Sequence, residues 1–184
     1  MAPGFDENVL VHGLQPVRVE IVEYDPAWPA RFAGRAAELR GVLGDRARLI
    51  EHVGSTSVPG LAAKPVIDIA VAVDDPDDEP AYLPDLLAAG YELRVREPRH
   101  RCLQGGDPGL RTNLHCHRPG DVEVRRYLAF RDRLRASAAD RGRYAVVKRA
   151  LAGRGEWADM NLYAEAKGPV VASILANAGW VDPR

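Results

Sequence analysis

This sequence of 184 residues is poor in the features that mark several common classes of protein. Its two cysteines, Cys102 and Cys116, fit neither zinc spacing nor a disulfide framework, which favours the reducing cytoplasm. No apolar run approaches the roughly 18 residues needed to span a bilayer. Residues 1–16 lack the basic and then apolar pattern of a secretory signal. We therefore expect a cytoplasmic protein with no membrane partner.

Charge and motifs exclude further classes of protein. The formal net charge is −1, which lacks the basic excess of a dedicated nucleic-acid binder. The chain contains no P-loop, no His-Glu-x-x-His motif, no nucleophile elbow and no dinucleotide fingerprint. Arginine greatly outnumbers lysine, however, so a local patch that binds phosphate stays open as a hypothesis.

The apolar residues that are present follow an α+β pattern. Short apolar runs predict a first strand or extended arm at 18–23 and strands at 47–53, 66–73, 91–96, 101–104 and 112–117. Residues 105–109 predict the hairpin turn between the last two strands. Helical periodicity predicts helices at 25–43, 80–89, 121–136, 141–151, 157–166 and 170–178. We expect an N-terminal arm at 1–17, a core at 18–120 and a helical region at 121–184, packed as a single compact unit.

Three of these helices carry more detailed signals. In the first, Asp25 is the predicted N-cap, Pro26 the first helical residue and Gly44 the end. Its apolar stripe comprises Trp28, Phe32, Ala36, Leu39 and Leu43. In the second, four residues are predicted to face inward, namely Tyr82, Leu83, Leu86 and Leu87. Gly168-Pro169 must break or kink the run between the last two helices.

The stretch at 51–71 organises the rest of the sequence. It places a turn rich in glycine and hydroxyl groups between two apolar strands, and a connection that carries Lys64. Glycine lets backbone N–H groups converge, and hydroxyls add donors, so the turn residues are candidate phosphate ligands. These candidates are Gly54, Ser55, Thr56 and Ser57. A plain turn between strands explains the same pattern equally well.

Asp68 lies in the middle of the second apolar strand, where an isolated charge is expensive unless it is paired or binds a cation. Strand alternation puts Ala70 on the same face of the sheet. A metal site built on one strand needs a second carboxylate at position 70, which alanine does not supply. The alternative is a structural acid paired with Lys64 or an arginine.

His115 and His117 are two residues apart on a strand and so point to the same face. Histidines in that arrangement are plausible metal ligands or acids that contact phosphate, although an ordinary edge strand also contains such pairs.

Several cationic and aromatic residues elsewhere suit an anionic ligand. Four residues bracket the predicted hairpin and form either a cationic rim or a solvated loop, namely Arg99, His100, Arg101 and Arg111. In the C-terminal helices, Tyr163 and Lys167 are four apart and share a face. Together with Lys148, they either close over a triphosphate or a base, or lie on a solvated surface.

These motifs resemble the GrpB family. The resemblance begins at Tyr24-Asp25-Pro26-Ala27-Trp28 and continues through His52-Val53-Gly54-Ser55-Thr56-Ser57-Val58-Pro59-Gly60-Leu61-Ala62-Ala63-Lys64-Pro65-Val66-Ile67-Asp68. It extends over roughly residues 17–175, almost the whole chain. GrpB-like domains occur alone and as C-terminal extensions of some dephospho-CoA kinases, and they are similar to the nucleotidyltransferase superfamily.

The resemblance implies a nucleotidyltransferase-like mixed β-sheet packed with helices, with a C-terminal helical segment. That superfamily holds nucleotide phosphates on a Gly-Ser turn, here Gly54-Ser55, and holds two divalent metals on an Asp-x-Asp strand and a later strand acid. Asp68 matches the first metal carboxylate, whereas Ala70 stands where the second is expected. The later strand offers His115 and His117 instead.

The leading hypothesis is therefore metal-dependent nucleotidyl transfer from a nucleoside triphosphate to a small-molecule acceptor. Asp68 and His115 are the candidate catalytic residues, and Asp68, His115 and His117 would hold Mg²⁺ or Mn²⁺. Phosphate binding is assigned to Gly54, Ser55, Thr56, Ser57, Lys64, Arg101, Lys148, Tyr163 and Lys167. The alternative is a non-catalytic module that binds a nucleotide or a CoA-type ligand, because Ala70 removes one metal carboxylate.

Overall fold

A mixed β-sheet organises the computed structural model, which describes residues 6–107 and 110–181. The described residues form seven strands, which are β1 (Val17–Arg18), β2 (Leu49–Val53), β3 (Val66–Ala72), β4 (Glu92–Glu97), β5 (His100–Asp107), β6 (Leu110–His117) and β7 (Glu156–Trp157). Five of them form one sheet in the order β2-β3-β6-β5-β4, in which only β3 and β6 run parallel. The short strands β1 and β7 pair separately.

Six α-helices accompany the sheet in the described part of the chain. They are α1 (Trp28–Leu43), α2 (Leu83–Ala88), α3 (Val122–Ala136), α4 (Ala138–Ala152), α5 (Met160–Ala166) and α6 (Gly168–Asn177). The predicted α+β class, with a mixed sheet packed with helices and a helical C-terminal segment, is confirmed. Within the described residues, we find no helix that combines the length and the apolar character required to cross a bilayer.

The two faces of β3 have different roles. Ile67, Ile69 and Val71 are fully buried in the main core, together with the apolar stripe of α1. Ala70, on the opposite face, packs against Val53 and against Val124 of α3. One face of the central strand therefore builds the core, because strand side chains alternate, and the other is partly covered by the C-terminal helices.

A second apolar cluster joins the chain after β2 to the C-terminal helices. Val58 and Leu61 pack there with Leu134 of α3, Tyr144 of α4 and Ile174 of α6. Burial of these large side chains fixes α4 close to the turn that follows β2. This packing brings helix residues far along the chain to the open face of β3.

Several predicted helix starts were wrong, including the one at 157, where Trp157 belongs to β7 and the helix begins at Met160. Proline explains one of the others. The structure starts α1 at Trp28, because the Asp25 carboxylate accepts a hydrogen bond from the Ala27 amide and forms a separate turn (2.8 Å). The predicted helix at 80–89 is instead a 3₁₀ turn at Glu79–Ala81 followed by α2. Pro84 lacks an N–H and would clash with the carbonyl four residues earlier, so a continuous helix cannot form.

The predicted hairpin turn also differs from the structure. Gly105, Gly106 and Asp107 belong to β5 and pair with β6, so the strand is longer than predicted. Residues 108–109, where the turn itself falls, lie outside the described residues. By contrast, the predicted break at Gly168-Pro169 is confirmed, because α5 ends at Ala166 and α6 begins at Gly168.

Leu86 and Leu87 are adjacent on α2 and provide a matched test of the core. Leu86 is fully buried, whereas Leu87, predicted to face inward, is 46% exposed. We expect Leu86→Ala to lower the free energy of unfolding by about 2–5 kcal/mol, because it leaves a cavity in the core. Leu87→Ala is expected to stay within about 0.5 kcal/mol. Urea unfolding of both variants tests this, and equal losses would contradict the observed packing.

Candidate functional site

The turn after β2 lies directly on the carboxylate of Asp68. Val53 is paired with Asp68 across the sheet, and Gly54 then turns with a φ of 70°. A Cβ atom at position 54 would be 2.3 Å from Asp68 Oδ2, far inside contact distance. Only glycine fits here, because it tolerates the positive φ and leaves room for the carboxylate.

Two of the three hydroxyl groups in this turn are used internally. Thr56 donates to the carbonyl of Val66 (2.9 Å), and Ser57 donates to the carbonyl of Gly54 (2.6 Å). Both residues are buried, and Ser57 lies outside the pocket that the turn borders. Ser55 lines this pocket and hydrogen-bonds Tyr144. The predicted phosphate-binding turn therefore presents Gly54 and Ser55, while Thr56 and Ser57 hold its shape.

A pocket of about 310 Å³ opens between this turn, the free face of the sheet and helices α4 and α5. It brings together residues from the whole length of the chain. The predicted site residues that line it are Gly54, Ser55, Thr56, Lys64, Asp68, His115, Lys148, Tyr163 and Lys167.

All three lysines of the chain lie in this pocket, although the chain has 25 basic residues in total. Lys148 donates to the carbonyl of Ala62, and its ammonium lies 4.8 Å from the centre of the Tyr144 ring. Lys167 lies at the same distance from the ring of Tyr163. These two ammonium groups are therefore held by carbonyl and aromatic partners, and Asp68 is the acid whose charge acts on all three lysines.

Burial makes these lysines easier to deprotonate than usual. It lowers the pKa of Lys148 to about 7, with the charge of Lys167 acting in the same direction. It lowers the pKa of Lys64 to about 8, against the attraction of Asp68. The pKa of Lys167 is also lowered by burial. An anion that entered the pocket would favour the charged form of all three groups.

Asp68 is the pocket carboxylate that faces these lysines, since Asp159, the other acid that lines the pocket, pairs with Arg94. Its Oδ1 accepts a hydrogen bond from Asn113 Nδ2 (2.8 Å) and lies 3.9 Å from His115 Nε2, which is an ion-pair distance. Burial raises the pKa of Asp68, but His115, Lys64 and Asn113 outweigh it, so the pKa lies below its ordinary value. Asp68 is thus ionised at neutral pH, with a quarter of its side chain exposed.

The two predicted histidines face different environments. His115 is beside Asp68, and its other ring nitrogen is 3.3 Å from His100 Nε2. His117 instead stacks on His100 with ring centres 4.6 Å apart, and it lines a separate pocket with Glu97. Burial lowers the pKa of His117 to about 3, so it is neutral at physiological pH. The structure does not bring His117 together with Asp68.

Arg101 also lies away from the pocket. Its guanidinium contacts Glu79 (2.5 Å) and Asp77 (3.1 Å) on the opposite face of the sheet, in an almost fully buried position. The acidic loop before α2 therefore neutralises Arg101, and the predicted contact with a ligand in the pocket has no geometric support.

The residues present do not fit a two-metal site. Ala70, at the position of the second acid, is fully buried between Val53 and Val124, so no ligand of this kind faces the pocket there. Across residues 6–107 and 110–181, no group of three or more histidine, cysteine, aspartate or glutamate side chains is arranged to hold a metal.

The pocket residues that sequence reasoning missed include Arg94, Cys102, Asn113 and Asp159. Alternation on β6 contains a signal for one of them, because residues 111, 113, 115 and 117 share one face. Cys102 is paired directly with His115 across the sheet and hydrogen-bonds it. Arg94 and Asp159 form a buried ion pair (2.7 Å) between residues 65 positions apart, a contact that no local pattern indicates.

Fold and site together define an α+β protein with a lysine-lined pocket over one ionised carboxylate. Comparison with known sequences then gives the family. The chain belongs to the GrpB family, whose description is "GrpB protein" and whose profile matches residues 18–177. The resemblance predicted from the motif is confirmed.

Two relatives differ in how much of their own length this chain matches. The UPF0157 protein BH1888 of Halalkalibacterium halodurans is 48% identical over 177 residues, which cover 94% of this chain and 89% of the relative. A dephospho-CoA kinase of Mycolicibacterium paratuberculosis is 31% identical in an alignment 206 positions long, which covers 97% of this chain and 50% of the kinase. The chain thus spans about half the length of that second relative.

Solved structures agree with the family. The crystal structure of the conserved protein GrpB from Enterococcus faecalis has a TM-score of 0.74 and 31% identity, covering 86% of this chain and 96% of that one. A chain of the Cid1 poly(U) polymerase with MgGTP bound has a TM-score of 0.45 and 14% identity, covering 70% of this chain and 45% of that one. A likeness as low as the second carries no conclusion for this chain.

Gly54 and Gly60 provide a matched test of the contact with Asp68. Both have a positive φ, but a Cβ at Gly60 would meet no atom within 4 Å. We expect Gly60→Ala to cost about 1–2 kcal/mol of unfolding free energy, from backbone strain alone. Gly54→Ala is expected to cost at least about 3 kcal/mol, because the methyl group must also displace Asp68. Chemical denaturation measures both, and equal costs would contradict the close approach.

Proposed function

We propose that this protein binds a nucleoside triphosphate in the lysine-lined pocket and transfers a nucleotidyl group to a small-molecule acceptor. One observation supports it above all others: every lysine of the chain lines the same pocket as the glycine-serine turn and the ionised Asp68. Three ammonium groups and the guanidinium of Arg111 share the pocket with Asp68, since Arg94 and Asp159 pair with each other. This excess of positive charge matches a polyphosphate.

The turn and the lysines have separate roles in this proposal. The backbone of Gly54 and Ser55 and the Ser55 hydroxyl donate to the phosphate oxygens. Negative charge develops on the pyrophosphate as the acceptor oxygen displaces it. Lys148 and Lys167 neutralise that charge, because preorganised cations act most strongly where charge develops. Their partners at rest are a carbonyl and aromatic rings, so a phosphate can replace those contacts without breaking an ion pair.

Asp68 and His115 are the proposed catalytic residues. Burial lowers the pKa of His115, but Cys102 and Asp68 outweigh it and raise the pKa well above its ordinary value. The protonated imidazole adds a further cation beside the carboxylate. Asp68 is the group that can accept the proton of an acceptor hydroxyl. We derive no step through Mg²⁺ or Mn²⁺, because the donor set does not fit two cations.

One observation favours the second candidate, a non-catalytic module that binds a nucleotide or a CoA-type ligand. Ala70 removes the second carboxylate on which two-metal transfer depends, and burial beneath Val124 closes that position. The relative that this chain matches over half of its length is named a dephospho-CoA kinase, which is consistent with a CoA-type ligand. This module would use the same turn and the same lysines. In either case the proposed setting is the cytoplasm.

Release of pyrophosphate from ATP separates these two candidates. We expect the wild-type protein to release pyrophosphate when candidate acceptors are supplied, with or without Mg²⁺ or Mn²⁺. We expect Asp68→Asn to lower the rate at least 100-fold, with ATP affinity changed by less than about tenfold. Binding of ATP without any pyrophosphate release would select the binding module. No ATP binding by calorimetry would contradict both candidates.

The three lysines make the anion site directly measurable. In protein labelled at lysine Cε or Nζ, NMR should show one signal for each lysine, titrating near pH 7 for Lys148 and near pH 8 for Lys64. A bound triphosphate favours the charged forms, so ATP should raise both pKa values. Binding at pH 8 should therefore take up protons, and the affinity should fall as the pH rises from 7 to 9.

Calorimetry in two buffers with different ionisation enthalpies measures that proton uptake. Lys148→Met removes one titrating group and should reduce the uptake. Lysines that titrate near their ordinary values, or that ATP leaves unchanged, would contradict an anion site in this pocket.

A further inference from the structure

A row of polar side chains crosses the floor of the pocket away from the phosphate turn. Asp68 of β3 is paired with Asn113 of β6, and Asn113 is paired with Gln104 of β5. Paired residues on neighbouring strands share a face, so all three point into the pocket, which they line. The row ends at Gln104, because its partner on the outer strand β4, Glu92, is exposed and does not line the pocket.

A β-bulge brings Arg94 onto this face. The register between β4 and β5 shifts between Leu93 and Val95, so Arg94 is the extra residue. Leu93 opposes Leu103 in the main core, whereas Val95 opposes Cys102, which lines the pocket. Arg94 therefore turns towards the pocket together with Val95. A bulge is a common way to redirect a side chain next to a site.

The Arg94 guanidinium is held firmly but used only in part. Its Nη2 donates to Asp159 Oδ2 (2.7 Å), and that carboxylate also accepts from the backbone amides of Gln15 (3.0 Å) and Asn161 (2.9 Å). Arg94 is only 7% exposed, and its Nη1 has no hydrogen-bond partner among the described residues. A buried donor without a partner is costly, so a group that enters the pocket would stabilise it.

Asn113 carries the complementary feature. Its Nδ2 donates to Asp68, so its Oδ1 points elsewhere, is buried and has no partner within the described part of the chain. This atom is an acceptor, so a donor such as a hydroxyl or an amine would satisfy it. The floor thus presents an acceptor next to Asp68 and a cationic donor at its far end.

We propose that Asn113 and Arg94 form the acceptor subsite of this pocket, which takes a small alcohol or amine that carries a carboxylate or a phosphate. The hydroxyl or amine would lie at Asn113 beside Asp68, and the anionic group would lie at Arg94. Strands are about 4.8 Å apart, so the backbones of β6 and β4 lie roughly 10 Å apart, and the side chains of Asn113 and Arg94 both reach from them into the pocket. This subsite rests on the proposed function, because it names the acceptor of that reaction.

Positive charge in the pocket then comes from two sources with different roles, the lysines and Arg94. Lys148 is held at Ala62, in the connection that follows the phosphate turn, whereas Arg94 projects from the outer strand β4. A planar guanidinium binds a carboxylate or phosphate through two parallel hydrogen bonds, which suits recognition of an anionic group by shape. Asp159 keeps the guanidinium in place.

Three probes of equal carbon length test the subsite: glycerol, glycerate and glycerol 3-phosphate. Calorimetry should show saturable binding of glycerate or glycerol 3-phosphate to the wild-type protein, and no comparable binding of glycerol. The preferred anion then distinguishes a carboxylate from a phosphate acceptor. Arg94→Lys keeps the charge but loses the planar fork, and it should weaken binding of the preferred anion at least tenfold.

Arg96→Lys is the matched control. Arg96 is two residues away on the same strand, is half exposed and pairs with Glu79 outside the pocket, so its replacement should leave binding of the probes unchanged. In the wild-type protein, the guanidinium NMR signal of Arg94 should shift on addition of the preferred anion. That measurement does not require the variant to fold. A signal that stays fixed means that Arg94 Nη1 binds only water, and it would overturn the subsite.

The outcome is separable from that of the phosphate site. The probes are titrated both with and without saturating ATP, so their binding can be read even if ATP fails to bind. Absence of binding by both anionic probes, or full binding in Arg94→Lys, overturns the subsite while leaving the lysine-dependent binding of ATP intact. Loss of ATP binding alone contradicts the proposed function and not the anion site at Arg94.

Discussion

The rest of the site depends on the close approach between the backbone of Gly54 and the carboxylate of Asp68. That contact requires a glycine with a positive φ, and it seals one side of an ionised acid inside the fold. Because the acid is charged and mostly buried, it needs partners, which Asn113, His115 and the lysines supply. The turn, the acid and the cations form one electrostatic unit.

The distribution of basic residues follows a physical division. Many arginines form ion pairs at the surface, such as Arg48 with Asp74 and Arg118 with Asp75, although Arg94 and Arg111 also line the pocket. The lysines are confined to the pocket. A guanidinium stays charged at any physiological pH, whereas a buried ammonium loses its proton readily and regains it next to an anion. Lysine is therefore the residue whose charge can follow the arrival and departure of a phosphate group.

Local chemistry explains which parts of the fold were predictable. The stripe of α1 and the alternation of β3 indicate their buried faces, and both are observed. Predictions failed where one local signal is compatible with two structures. Asp25 caps a turn and not the helix, and Gly105 and Gly106 extend a strand and do not form the turn. Leu87 follows the periodicity of α2 but is exposed, because the helix has only six residues and little of it meets the core.

For the site, the sequence by itself determined the glycine-serine turn, the isolated Asp68 and the identity of the lysines, because those signals are local or depend on composition. Tertiary structure alone decided which of the candidates meet. It joined Lys148 and Lys167 to Asp68 through the packing of α4 and α6 on Val58 and Leu61. It placed Arg101 and His117 outside the pocket, and it placed Arg94 inside the pocket through a β-bulge. Contacts between residues far apart in the chain depend on packing and register, which no local pattern contains.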